Sequence, residues 1–177
     1  MLGRANLTKE LATGAIETSN NIHSDYEHSR VLIELLKRVN LPADWAAAAL
    51  QSASNIQSDY EKARVLTSFV SAKLLTPALH ANYFRVAAAI QSDYDRGRTL
   101  IAALDSGALD SNGIKELLNA VSGMHSDYEM ARVLLAVADH VKLEGEARNQ
   151  YIATAEQIHS EHDRNRALAA VVRRASL

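Results

Sequence analysis

The chain contains no cysteine, and its 177 residues include only two prolines and seven glycines. Without cysteine there is no disulfide, thiolate metal ligand or cysteine nucleophile. Few turn-forming residues, together with only 5% aromatics, disfavour a β-rich fold and favour helices. No apolar run approaches the roughly 18 residues of a membrane span. The first ten residues also lack the apolar core of a signal peptide.

Neither sign of charge dominates the composition. The formal net charge is −2, with 47% hydrophobic and 23% charged residues, which is typical of a globular protein rather than a disordered one. Nucleic-acid-binding domains usually carry a strongly basic surface. The composition therefore disfavours nucleic acid as a partner.

One short peptide recurs along the chain with a constant period. Ser-Asp-Tyr-Glu begins at Ser24, Ser58 and Ser126, Ser-Asp-Tyr-Asp begins at Ser92, and a degenerate Ser-Glu-His-Asp begins at Ser160. Adjacent copies are 34 residues apart every time. A constant period of this length predicts an array of helix hairpins.

Each copy has the pattern of a helix start. A serine is followed three residues later by an acid, which is the capping box that closes a helix N-terminus. The helix after each serine is called helix A, and helix B fills the other half of each period. The predicted caps are Ser24, Ser58, Ser92, Ser126 and Ser160, and helix B begins after Leu7, Leu41, Leu75, Leu109 and Leu143.

Stacked hairpins can bury apolar stripes that one hairpin cannot bury alone. The sequence therefore predicts an all-α fold, a right-handed α-solenoid of five 34-residue helix-hairpin repeats with about ten helices. It forms a single domain, 1–177, with units 7–40, 41–74, 75–108, 109–142 and 143–176. Residues 1–6 align with residues 35–40, and Leu177 stands where a sixth unit would begin. Two interpretations stay open: a segment of a longer array, or a natural short array with frayed ends.

The period of 34 is that of the tetratricopeptide repeat, but that family's Trp, Leu-Gly and Tyr pattern is missing. The segment Ser58–Leu66 and its copies resemble instead the bacterial SDYE-type helical repeats that follow BlaR1-type M56 peptidase domains. The resemblance covers nearly the whole chain and implies a helical repeat. Because the peptidase zinc motif His-Glu-x-x-His is absent, the resemblance implies no peptidase activity.

Arginines and tyrosines occupy fixed positions of helix A. Each arginine follows its capping acid by three residues, and each tyrosine precedes an arginine by four, so both lie on one helix face. We favour a structural ladder in which each arginine meets its own acid and the Asp or Tyr of the next unit. The alternative is an arginine stripe that binds phosphate or carboxylate ligands. The residues are Arg30, Arg64, Arg98, Arg132, Arg166, Tyr26, Tyr60, Tyr94 and Tyr128.

No pattern of catalytic, cofactor-binding or metal-binding residues emerges. The acids are explained by helix caps, and no triad or glycine-rich phosphate loop is visible. His159 and His162 with Glu161 and Asp163 form the densest cluster, but their spacing is loose. We predict no catalytic residue, no cofactor and no metal site.

Positions that vary between repeats are candidates for partner binding. Met130 takes a place held elsewhere by His28, Lys62, Arg96 and Arg164, so it is expected to face solvent. The candidate contact residues are Lys37, Ser71, Asp105, Asp139, Arg85 and Met130.

The favoured function is a monomeric protein- or peptide-binding scaffold without catalytic activity, by analogy with other solenoids. One alternative is a helical-repeat enzyme, or a nucleic-acid or anion binder that uses the arginine stripe. Another is a passive or engineered structural scaffold. The sequence identifies neither the partner nor the localisation.

Overall fold

The computed structural model describes residues 9–37 and 41–175, and the side chains of 13–37 and 41–173. Leu7, the alignment of residues 1–6 and Leu177 lie outside these ranges. Within them the chain forms ten α-helices and no strand, which confirms the predicted all-α fold. None of these helices is long and apolar enough to cross a lipid bilayer. The helices are α1 (Lys9–Ser19), α2 (Asp25–Leu36), α3 (Ala43–Ala53), α4 (Asp59–Ser71), α5 (His80–Ala88), α6 (Asp93–Asp105), α7 (Ser111–Ser122), α8 (Asp127–His140), α9 (Gly145–Ala155) and α10 (Glu161–Ala175).

The ten helices form two layers. The even-numbered helices are the A helices, and each packs against the next along the series α2, α4, α6, α8 and α10. The odd-numbered helices are the B helices, which pack in the same way from α1 to α9. Contacts between neighbouring A and B helices join the layers. This packing is that of a helical-repeat solenoid, while its right-handed twist stays a prediction.

A continuous hydrophobic core lies between the two layers. Its A-helix contribution is a leucine at the same position of successive repeats, fully buried at Leu32, Leu66, Leu100 and Leu134. Its B-helix contribution includes Tyr83, whose hydroxyl donates to the Thr99 carbonyl at 3.3 Å. This bond gives the buried hydroxyl a partner, so the large ring can fill the core without an unsatisfied polar group. Burial raises the pKa of Tyr83 well above its ordinary value.

Candidate binding surface

The aspartate that begins helix A connects consecutive repeats. Oδ2 of Asp93 accepts from the backbone N–H groups of His125 at 2.8 Å and Ser126 at 2.6 Å, both in the loop before the next A helix. Charge-assisted bonds of this kind are stronger than neutral ones. The equivalent bonds join Asp25 to Gln57 (3.1 Å) and Ser58 (2.6 Å), Asp59 to Ser92 (2.7 Å), and Asp127 to His159 (3.0 Å) and Ser160 (2.7 Å).

The Asp127 carboxylate shows the electrostatic effect of this link. Backbone N–H groups of His159 and Ser160 donate to it and hold its pKa below the ordinary value. These bonds therefore favour the ionised carboxylate in the folded chain. The sequence analysis considered these aspartates as partners of arginines in neighbouring repeats and missed this connection to the backbone.

The serines cap the A helices, but the capping box is only half formed. Each serine Oγ accepts from the backbone N–H three residues later at 3.3 Å, at Ser24, Ser58, Ser92, Ser126 and Ser160. A complete capping box also has a bond from the serine N–H to the acid, and this half of the predicted capping box is wrong in repeats two to five. There the serine N–H donates to the aspartate of the preceding repeat. The acid is thus free to contact other groups.

These acids lie in the interface between A helices. Glu61 is buried and accepts the Ser29 hydroxyl of the preceding repeat. The equivalent acid Glu129 lies against Gly97, where an added Cβ would be 2.9 Å from Oε2. Small residues at this position, Ser29, Ala63, Gly97 and Ala131, therefore make room for the next repeat's acid. Sequence reasoning missed this pattern, although the small residues repeat visibly.

Each arginine of the set pairs with the acid of its own helix. The N···O distances are 3.2 Å for Arg30–Glu27, 2.7 Å for Arg64–Glu61, 3.2 Å for Arg98–Asp95, 2.9 Å for Arg132–Glu129 and 3.1 Å for Arg166–Asp163. The three central arginine side chains are still 32–35% exposed. They therefore line the surface of the A layer, while the side chains of their acids are only 10–14% exposed.

The tyrosines lie on the same surface and are more exposed than the three central arginines. Tyr26, Tyr60, Tyr94 and Tyr128 are 52–59% exposed. The Arg98 guanidinium carbon lies 5.4 Å from the ring centre of Tyr60, and that of Arg132 lies 5.5 Å from Tyr94. Each of these arginines contacts the tyrosine of the preceding repeat, which corrects the expected direction.

We call this surface the Tyr–Arg face. Within single repeats it also contains the Arg30–Tyr26 contact at 5.5 Å and the Arg64–Tyr60 contact at 5.9 Å. It consists of Tyr26, Tyr60, Tyr94, Tyr128, Arg30, Arg64, Arg98, Arg132 and Arg166.

Met130 does not face solvent, so the prediction of an exposed contact residue there is wrong. Its side chain is only 2% exposed, and it belongs to the hydrophobic core. The polar residues His28, Lys62 and Arg96 at this position are also buried. Arg96 binds the next repeat, because its Nη1 donates to the Gly123 carbonyl at 2.7 Å. His28 Nε2 lies 2.8 Å from Ser52 Oγ, and burial lowers the pKa of His28 against an opposing effect of Asp25.

The other variable candidates divide between the two layers. Lys37, Ser71, Asp105 and Asp139 are exposed at equivalent positions near the C-terminal ends of the A helices. Arg85 is exposed on α5 in the B layer, where it donates to Gln51 at 3.2 Å. The structure therefore brings the first four into one row and leaves Arg85 apart from them.

Among the described residues, no three His, Asp or Glu side chains are grouped to hold a metal ion. No protein-family model, curated protein or solved structure matches the chain. The resemblance to SDYE-type repeats therefore stays a prediction.

Proposed function

We propose that the chain is a non-catalytic helical-repeat scaffold that binds a protein segment or peptide along its Tyr–Arg face. One observation carries the proposal: four tyrosines at the same position of successive repeats are each more than half exposed. In the described part of the chain, Val172 is the one other large hydrophobic residue exposed to this degree. The exposed apolar surface is thus concentrated on one face.

The chemistry of this face suits a protein partner. Tyrosine and arginine are enriched among the residues that dominate protein interfaces. A tyrosine ring buries a large area at a small cost in side-chain entropy, and its hydroxyl can still hydrogen-bond. Arginine stacking holds Tyr60 and Tyr94 in place before binding. Such preorganisation reduces the entropy lost when a partner docks.

The repeat geometry favours an extended partner. Packed helices lie about 8–10 Å apart, so successive tyrosines form a row with a spacing of that order. A segment in the extended polyproline II conformation advances about 3.1 Å per residue with three residues per turn, so it can place every third side chain at a tyrosine. We therefore expect a segment of roughly nine to twelve residues to cover the four rings.

Selection from a random peptide display library tests this function. Peptides selected on the wild-type chain should bind a Tyr60→Ala/Tyr94→Ala variant at least roughly tenfold more weakly, about 1.4 kcal/mol. Arg85→Ala, on the other layer, is the matched control and should bind as wild type does. Equal binding by all three proteins, or no peptide selected at all, would refute the proposal.

A second measurement keeps a folding defect apart from a lost contact. Because each ring is more than half exposed, the double tyrosine variant should keep the helical circular dichroism spectrum and unfold cooperatively. Tyr60→Phe/Tyr94→Phe retains the rings and should retain most of the affinity. Loss of binding by the phenylalanine variant as well would assign recognition to the hydroxyls rather than to ring burial.

A further inference from the structure

An open groove lies between α2, α4 and α6, beside the Tyr–Arg face. Its volume is about 380 Å³, and it is lined by Ile33, Arg64, Thr67, Ser68, Ser71 and Arg98. Two guanidinium groups from adjacent repeats therefore border one space that also contains three hydroxyl groups. No acidic side chain is part of this lining.

Several hydrogen-bond donors of the groove are not used within the protein. Arg98 contacts Asp95 through Nε at 3.2 Å, which leaves both terminal nitrogens without a partner among the described residues. Arg64 Nη1 donates to Glu61 at 2.7 Å, and the Nη2 atom of Arg64 has no hydrogen-bond partner among the described residues. The Ser68 hydroxyl also has no partner in the described chain, whereas Thr67 and Ser71 donate to backbone carbonyls.

The equivalent positions further along the A layer carry a different charge. Asp105 and Asp139 stand at the position of Ser71, and alanines 102 and 136 stand at the position of Ser68. Asp105 is 3.1 Å from His140 Nε2, so its carboxylate is at the surface of α6 and α8. The groove at Ser71 thus lacks the acid that the next two repeats carry, and it has hydroxyls at three positions, 67, 68 and 71, where those repeats have none.

From this difference we propose that the groove between Arg64 and Arg98 binds a tetrahedral oxyanion, specifically the phosphoryl group of a phosphorylated residue in the bound peptide. Arginine clusters are a common way to recognise phosphorylated and acidic motifs. Glu61 and Asp95 already neutralise part of the arginine charge, so the binding free energy of the oxyanion comes mainly from hydrogen bonds to the unused N–H and O–H donors. The proposal rests on the proposed peptide-binding function and assigns its specificity.

Titration with inorganic phosphate tests the groove independently of any peptide. The probe is followed through the side-chain N–H resonances of ¹⁵N-labelled arginine, with sodium chloride at matched ionic strength as the blank. Arg64 and Arg98 should shift saturably, and Arg132 should not. Shifts of equal size at Arg132, or shifts that the chloride blank reproduces, would overturn the proposal.

Two variants make the test specific to the groove. Ser71→Asp installs the residue that the next two repeats already carry, so the fold tolerates it, and it should raise the phosphate Kd roughly tenfold by charge repulsion. Asp105→Ser should make Arg132 respond to phosphate. An unchanged Kd in Ser71→Asp would contradict the proposal.

A pair of tripeptides, Gly-phosphoserine-Gly and Gly-Ser-Gly, distinguishes a peptide-borne group from the free ion. The phosphorylated peptide should bind at least as tightly as inorganic phosphate, and the other should cause no shift. Binding of inorganic phosphate alone would overturn the peptide-borne assignment.

Tyr94→Ala, which removes a ring outside the groove, should keep phosphate binding. If the groove binds phosphate but no selected peptide depends on Tyr94, the proposed function fails while the anion site stands.

Discussion

Replacing Asp93 by alanine tests the link between consecutive repeats most sharply. The change removes the acceptor of two backbone N–H groups, at 2.6 Å from Ser126 and 2.8 Å from His125. A hydrogen bond to a charged group contributes about 1.5–3 kcal/mol, and the exposed His125 N–H can turn to water instead. We therefore expect a loss of about 2–3 kcal/mol, or a fall of roughly 4–12 °C in Tm for a chain of this size.

Glu161→Ala is the matched control. Glu161 occupies the same first position of an A helix, so both substitutions remove an acid from the positive end of a helix dipole. No described residue hydrogen-bonds to Glu161, and its side chain is exposed. The control should therefore cost only the dipole contribution, about 0.3–1 kcal/mol.

Urea and thermal unfolding, followed by circular dichroism, compare the two variants with the wild type. Hydrogen exchange adds a local measurement, because the exchange rate of the Ser126 amide should rise in Asp93→Ala and stay unchanged in Glu161→Ala. Solenoid repeats couple mainly to their neighbours, so Asp93→Ala is also expected to broaden the transition. If Asp93→Ala and Glu161→Ala differ by less than about 0.5 kcal/mol, the link contributes nothing and the reasoning is refuted.

Three further predictions concern the same interfaces. Gly97→Ala should raise the free energy of unfolding by much less than the roughly 1 kcal/mol by which helices favour alanine over glycine, because the new Cβ would meet Glu129. Shortening that side chain by Glu129→Asp should restore the missing stability, and a double-mutant cycle with zero coupling energy would contradict this. The depressed pKa of Asp127 stabilises the folded chain fully above pH 3.8, the ordinary pKa of the carboxyl group, and this stabilisation is lost as the pH falls through the lower pKa of the folded state. The free energy of unfolding in urea should therefore vary less between pH 6 and 3 in Asp127→Asn than in the wild type, and equal slopes would disprove it. Gly113→Ala should destabilise by about 1–2 kcal/mol in thermal unfolding, since its Cβ would lie 2.7 Å from the buried His80 ring, and an unchanged Tm would show that the ring moves freely.

Local signals in the sequence were sufficient to predict the helices of the fold. The serine before each A helix marks its start because the hydroxyl satisfies a backbone N–H that has no partner within the helix. All five A helices begin one residue after the predicted serines Ser24, Ser58, Ser92, Ser126 and Ser160, and the Ser160 hydroxyl caps α10. The constant period then fixed the order of the layers, because equivalent helices must stack on each other.

The contacts between repeats were harder to predict, because one residue can serve two purposes. An aspartate at the first helical position is already favourable because of the helix dipole. Its presence in the sequence therefore does not by itself indicate a bond to the next repeat. Met130 illustrates the opposite difficulty: the polar residues at its position suggested solvent. Arg96 is in fact buried and satisfies a carbonyl of the following B helix. A column of polar residues therefore indicates exposure only when no buried carbonyl lies within reach of those side chains.

The most direct test of the binding face is to locate a bound peptide by NMR. The measurement uses a peptide selected on the wild-type chain and records intermolecular nuclear Overhauser effects from its side chains to the tyrosine ring protons. We expect contacts to Tyr60 and Tyr94, which lie in successive repeats, with the peptide running across both A helices. Contacts confined to the B layer around Arg85, with none to the tyrosines, would contradict it.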